Sequence, residues 1–306
     1  MIDKIYDVIV VGGGPAGAAC GIYTSRARLD VLIIAKENDG SLLKAHMIDN
    51  YPGFPDGIKG NELNDLMKKQ AIRFGAQFTY GTVLDFDLSS DTKVVKTSSG
   101  NYRSKYVVIA SGTANAASKI NGEQRFIGSG VSYCATCDGA FTKGLNVTLF
   151  GQGDEVGEEA LFLTKFAKNI KIFVKDDRLK CKDEILTALR SNNVEIITNA
   201  ELEEVSGSEY VEKVKVNENG ALKEYPCDFT FLYLGTKSNT ELFGGFFKLD
   251  KQGYIITDEN MSTGVQNVYA VGDIRSKSVR QVTTAVNDGT IAALEVIKER
   301  LKNTDK

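Results

Sequence analysis

Residues 6 to 34 read YDVIVVGGGPAGAACGIYTSRARLDVLII, and this stretch decides the fold. A β-branched run from Val8 to Val11 gives way to a glycine turn, a helix-compatible stretch and a second β-branched run from Val31 to Ile34. That succession is a βαβ unit. Gly12, Gly14 and Gly17 keep the G-x-G-x-x-G spacing between strand and helix. Such glycines allow a tight turn, a close approach of backbone to a diphosphate and close packing of helix on strand, and the helix amino terminus offers N–H donors. The second strand runs on as Ala35-Lys36-Glu37, so the acidic residue that would take an adenosine ribose is displaced to Glu37 or absent.

Working outward, residues 146 to 174, NVTLFGQGDEVGEEALFLTKFAKNIKIFV, repeat the scheme. Val156, Ala160, Leu163 and Ala167 fall on one helical face. Two further segments, 98 to 113 and the YAVGD region at 269 to 273, are strands ending in glycine loops, and the second is followed by a carboxy-terminal helix. The expected fold class is α/β with two Rossmann-like dinucleotide-binding domains. The first is discontinuous, 1 to 113 with 245 to 306, and the second, 114 to 244, is inserted in it. A chain of 306 residues is long enough for two such cores.

Composition removes several classes. With 42% hydrophobic and 25% charged residues and a net charge of -3, the chain reads as globular, with no global attraction to nucleic acid or membrane. No stretch reaches the length of a membrane span, and the amino terminus enters a strand without a leader pattern. Five cysteines with one close pair do not make a secreted disulfide framework, so a cytoplasmic location is expected. The single histidine, His46, limits catalytic triads and histidine metal sites to one imidazole.

The close pair lies in SYCATCDGAF, residues 132 to 141. Zinc binding at Cys134 and Cys137 needs a second close pair, and Cys20, Cys181 and Cys227 are isolated from one another. A permanent bridge is disfavoured by a reducing compartment. A redox-active dithiol remains, because a two-residue spacer permits a small ring and lowers one thiol pKa. Asp138 adjoins the pair and is placed to exchange a proton with a sulfur. The other three cysteines are expected to be small buried hydrophobes.

GGGPAG at 12 to 17, NYPGFP at 50 to 55, CATCDG at 134 to 139, and YAVGD followed by RQVTTAVNDG at 280 to 289 together resemble the low-molecular-weight thioredoxin reductases, over nearly the whole chain and in the right order. The resemblance implies a flavoprotein disulfide reductase that reduces thioredoxin through FAD and the CxxC dithiol, normally as a homodimer. It implies that Gly12, Gly14 and Gly17, with Pro15 and Ala16 between them, hold the FAD diphosphate. Asn50, Gly112, Gly272 and Asp273 would lie along the flavin chain, and Arg280 and Gln281 would reach the isoalloxazine. Cys137 would face the flavin, Cys134 would attack thioredoxin, and Asp138 would be the acid/base.

The chain departs from the NADPH-dependent members of that family in the second unit. Their GxGxxA loop becomes Gly151-Gln152-Gly153-Asp154-Glu155-Val156, and their HRRxxxR stretch becomes Val174-Lys175-Asp176-Asp177-Arg178-Leu179-Lys180. Val156 is branched where a small residue lets helix and strand approach, Glu155 adds a carboxylate beside Asp154, which the family shares, and Asp176 sets another where a phosphate would sit. In both respects the sequence resembles the ferredoxin-dependent flavin thioredoxin reductases, which implies ferredoxin as the electron donor. Transfer from a plant-type ferredoxin near about -400 mV to thioredoxin near about -270 mV is downhill by about 6 kcal/mol for two electrons. Two basic stretches are candidate docking surfaces for an acidic donor: Lys165, Lys168, Lys171, Lys175, Arg178, Lys180 and Lys182, or Arg275, Lys277 and Arg280. The competing readings are an NADH- or NADPH-dependent thioredoxin reductase, a peroxiredoxin-reducing flavoprotein and a non-enzymatic flavin-bound redox sensor.

Overall fold

The computed structural model describes residues 4–37, 40–45, 47–115, 120–234, 236–238 and 245–302. His46 lies outside the described residues. The chain forms two compact units: 1–44 with 58–114 and 237–306, and 45–57 with 115–236. The segment 45–57, which contains NYPGFP, therefore groups with the second unit, whereas the sequence reading placed it in the first.

In the first unit, strand Ile5–Val11 is paired in parallel with Val31–Ala35 on one side and Gly100–Ile109 on the other. Gln77–Tyr80 extends the sheet at one edge, and Val268–Ala270 pairs in parallel with the end of Gly100–Ile109. The β-branched runs are continuous rather than alternating because both faces are covered, as parallel sheets require. Val8, Val10, Ile33 and Val108 meet helices Pro15–Arg26 and Val282–Lys302, while Ile9, Val11, Leu32 and Ile109 meet Phe86, Val95 and Ile274. The sheet also carries an antiparallel pair, Val83–Asp87 with Lys93–Thr97, joined to the start of Gly100–Ile109. The sequence reading assigned no strands there.

The second unit holds a five-stranded parallel sheet in the order Glu195–Ile197, Asn169–Phe173, Asn146–Gly151, Phe229–Tyr233, Val131–Ser132. Helices Asp154–Leu163 and Asp183–Ser191 cover one face. Val156, Ala160 and Leu163 are fully buried there. The helix stops at Leu163, so Ala167 reaches the same cluster from the following turn, where its N–H still bonds the Leu163 carbonyl. A three-stranded antiparallel sheet, Ala200–Gly207, Val211–Glu218 and Ala221–Pro226, packs on the other face through Phe150, Phe173, Val205 and Val214. Both units are Rossmann-like, and among the described residues no helix is long and apolar enough to cross a membrane.

Candidate active site

Cys134 and Cys137 are joined as a disulfide with Cα atoms 5.3 Å apart. They sit where strand Val131–Ser132 turns into the one-turn helix Ala135–Asp138. Ala135 is buried in the core of the second unit and fixes that turn to it. Ser132 Oγ donates to Asp138 Oδ2 at 2.5 Å and accepts the Cys134 N–H at 3.1 Å. Burial pushes the Asp138 carboxyl above the usual range, the Ser132 hydroxyl opposes the shift and the charge of Asp49 adds to it. A carboxyl raised in this way holds a proton more readily near neutral pH, which suits exchange with a neighbouring sulfur. Behind the turn, the Ala135 N–H donates to the Tyr233 hydroxyl at 2.9 Å, and Glu159 accepts from the Thr136 N–H and from Tyr233.

Neither Glu159 nor Tyr233 had a signal in the sequence, since Tyr233 is 98 residues from the group it bonds. Ser132 stood inside the quoted stretch, but a serine two places before a cysteine has no pattern of its own.

The first glycine turn is built for close approach. Gly12 has φ 116°, and a side chain there would put its Cβ 2.1 Å from the Ala110 carbonyl oxygen. At Gly17 the Cβ would lie 1.9 Å from the Gly12 oxygen, so helix and strand meet at backbone distance. Gly14, by contrast, faces open space and is the N-cap of Pro15–Arg26, with no side chain capping the helix. Ala16 lies against Gly272 and Gly289, which brings the turn beside Gly272-Asp273. Gly112 follows Ser111 in the adjoining loop with φ 62°.

Among the buried polar atoms of this unit without a hydrogen bond are Ser111 Oγ, Asp273 Oδ1 and Arg280 Nε. Asp273 Oδ1 has Lys277 Nζ at 3.4 Å, an ion pair without hydrogen-bond alignment. Burial raises the Asp273 carboxyl above the usual range and Lys277 opposes this. The Arg280 guanidinium stacks on Tyr254 at 4.0 Å, and the Gln281 N–H is held by Thr284 Oγ1. Open helix N–H groups beside unsatisfied buried polar atoms fit the diphosphate and ribityl chain of a flavin dinucleotide. Asn50 lies on the 45–57 segment and is not among the groups this unit itself gathers.

In the second unit the corresponding loop is occupied by its own side chains. Gln152 Oε1 accepts the Gly153 N–H at 3.2 Å and the Lys180 N–H at 2.6 Å, while its Nε2 donates to Asp176 Oδ2 and to the Arg178 carbonyl. The Gly153 N–H is a donor that a diphosphate at this turn would use. Val156 is fully buried beneath the loop, and a Cβ on Gly151 would lie 2.7 Å from its Cγ2.

Two of the three carboxylates singled out in this region have cationic partners. Asp154 accepts the Lys182 N–H and lies 3.3 Å from its ammonium, and Asp176 lies 2.5 Å from Lys180 Nζ. These partners hold both exposed carboxyls below the usual range. Gln152 and Asp154 thus tie the loop to residues 176 to 182.

The two candidate basic surfaces are altered in the same way. Lys171 pairs with Glu195, Lys175 with Glu201, Lys180 with Asp176 and Lys182 with Asp154. Arg275 and Lys277 turn inward to Asp288 at 3.2 and 3.0 Å and are almost covered. Cys20 and Cys227 are buried, and burial pushes both thiols up to about 12. Cys181 is only half-buried, beside Gly157, so the expectation of three buried cysteines holds for two.

A cystine seated beside a half-buried acid on one Rossmann-like unit, together with a dinucleotide-shaped glycine turn on the other, defines a flavin-dependent disulfide reductase. The chain matches the family model for pyridine nucleotide-disulphide oxidoreductases over residues 6–289. It is 37% identical over 311 residues to the thioredoxin reductase of Listeria innocua, covering 98% of this chain and 97% of that protein. It is likewise 37% identical to that of Bacillus subtilis, covering 98% of each. The crystal structure of thioredoxin reductase from Streptococcus pyogenes superposes with a TM-score of 0.92 at 33% identity, covering 98% of this chain and 99% of that one. The chain belongs to the pyridine nucleotide-disulphide oxidoreductase family, as a low-molecular-weight thioredoxin reductase-type flavoprotein, and its cofactor is FAD.

Proposed function

We propose that the chain reduces the disulfide of thioredoxin through Cys134 and Cys137 and draws its electrons from reduced ferredoxin. The observation that carries the disulfide chemistry is the Cys134–Cys137 bond beside a raised, serine-held carboxyl. The reading of the donor is supported by Gln152, which takes up the Gly153 N–H and ties the loop to residues 176 to 180. Gly12, Gly14 and Gly17, with Pro15 and Ala16, hold the FAD diphosphate, and Gly112, Gly272, Asp273, Arg280, Gln281 and Asn50 contact the remainder. When bound, FAD supplies both one-electron and two-electron transfer, which matches a single-electron donor to a disulfide.

In the chain's own steps, reduction with two electrons and two protons opens Cys134–Cys137. The Cys134 thiolate attacks a thioredoxin sulfur and displaces the other as a thiolate, and Cys137 then attacks Cys134 to reform the cystine and release reduced thioredoxin. Asp138 exchanges the proton at Oδ1, its Oδ2 being held by Ser132. The reaction belongs in a reducing cytoplasm, with the protein a homodimer.

The family's name carries a pyridine nucleotide, which favours NADPH or NADH as donor instead. Anaerobic mixing separates the two. Reduced ferredoxin is expected to bleach the yellow protein and yield thioredoxin thiols, while NADPH and NADH leave the colour unchanged. Rapid bleaching by either nucleotide overturns the donor reading and leaves the disulfide chemistry standing.

A further inference from the structure

The helix Ala135–Asp138 points its amino terminus at Cys134, its N-cap. In such a place the first N–H groups have no partner within the helix, and a cysteine beside them is ordinarily ionised more easily. Here those donors are already engaged. The Cys134 N–H goes to Ser132 Oγ, the Ala135 N–H to the Tyr233 hydroxyl at 2.9 Å and the Thr136 N–H to the Glu159 carboxylate. Tyr233 in turn donates to Glu159, whose Oε2 is buried without a partner. The Thr136 hydroxyl lies 3.3 Å from Cys134 Sγ.

We propose that Glu159 and Tyr233 are positioning residues for the dithiol, which take up the amino-terminal donors of this helix and so keep the Cys134 thiol harder to ionise. The inference rests on the reading of Cys134 as the attacking sulfur. A thiol of higher pKa is the stronger nucleophile once deprotonated but is ionised in a smaller fraction, so its attack on an external disulfide should rise with pH. The charged groups coupled to Glu159 and Asp138 are all acidic. Glu155 and Glu158 lie on the helix of Glu159, Tyr233 comes from the neighbouring strand, Asp138 from the cysteine turn and Asp49 from the 45–57 segment. None of these is a cation. Burial, with Glu155 and Glu158, holds the Glu159 carboxyl above the usual range.

The test is the pH dependence of iodoacetamide alkylation of Cys134, followed by peptide mass, in flavin-loaded protein carrying Cys137→Ser. Glu159→Gln removes the charge and is expected to move the midpoint down by about one pH unit. Tyr233→Phe frees the Ala135 N–H and is expected to move it in the same direction. Glu159→Asp, which keeps the carboxylate, should return it towards the parent value. Midpoints equal to or above the parent in both Glu159→Gln and Tyr233→Phe overturn the proposal. If Glu159→Gln does not retain its flavin, Tyr233→Phe decides alone. The readout involves neither electron donor nor thioredoxin, so failure of the proposed reaction would appear in turnover and not here.

Discussion

Ser132 Oγ bridges Asp138 Oδ2, at 2.5 Å, and the Cys134 N–H, at 3.1 Å, so one hydroxyl couples the half-buried acid to the backbone of the cystine. Removing it acts on both. Because the hydroxyl lowers the Asp138 carboxyl against the effect of burial, Ser132→Ala is expected to shift the limb of the pH–rate profile assigned to Asp138 further upward. The check is thioredoxin reduction measured from acid to alkaline pH. An unmoved limb means that Asp138 is not the group titrating.

The raised carboxyl also bears on stability. A group whose folded pKa lies above its unfolded value favours the fold below the unfolded pKa, and that contribution is lost as pH rises through the folded value. Asp138→Asn is therefore expected to unfold at a higher temperature than the parent at neutral pH, with the gap closing as pH falls below the ordinary carboxylate range, and to lose turnover. Thermal unfolding at the two pH values checks the sign.

Gly12→Ala sets a Cβ 2.1 Å from a backbone oxygen at a φ that side chains rarely adopt. Since the obstacle is main chain, the turn must move. The expected outcome is protein purified with little flavin, read from the ratio of visible to ultraviolet absorbance. Gly14→Ala, where space is open, should keep more of it.

Asp288 is 3% exposed and holds the Gly272 N–H, Arg275 and Lys277 together. Truncating it leaves two nearly covered cations uncompensated, which costs about 3–5 kcal/mol. Asp288→Ala is expected to lower the urea midpoint accordingly. A variant as stable as the parent would show that water already screens this cluster.

Gln152→Gly releases the Gly153 N–H and the tie to Asp176. If that tie closes the loop, NADPH binding by equilibrium dialysis should strengthen about tenfold, the effect of about one charge-assisted hydrogen bond. Equal affinity in both proteins points to buried Val156 as the obstacle instead.

Much of this protein was legible because it is written in short-range physics. The β-branched runs at Val8 to Val11 and Val31 to Ile34, the glycines between them and the cysteine spacing act over a few residues each, so periodicity and turn chemistry reveal two Rossmann-like units and a redox pair. The antiparallel strands at 200 to 218 set buried Leu202, Val205, Val211, Val214 and Val216 among exposed charges, yet nothing local says what covers the buried side.

Partners at long range had to wait for the fold. Sequence placed Asp154, Asp176 and seven basic residues in one region but could not pair them; the fold gives both aspartates and four of the lysines their partners. Arg275 and Lys277 read as a surface patch until Asp288 drew them inside. The sequence by itself determined which residues can turn, stack and react. Tertiary structure alone decided which of them meet, as with Tyr233 and the Ala135 N–H, because burial and charge pairing depend on neighbours brought together only when the whole unit packs.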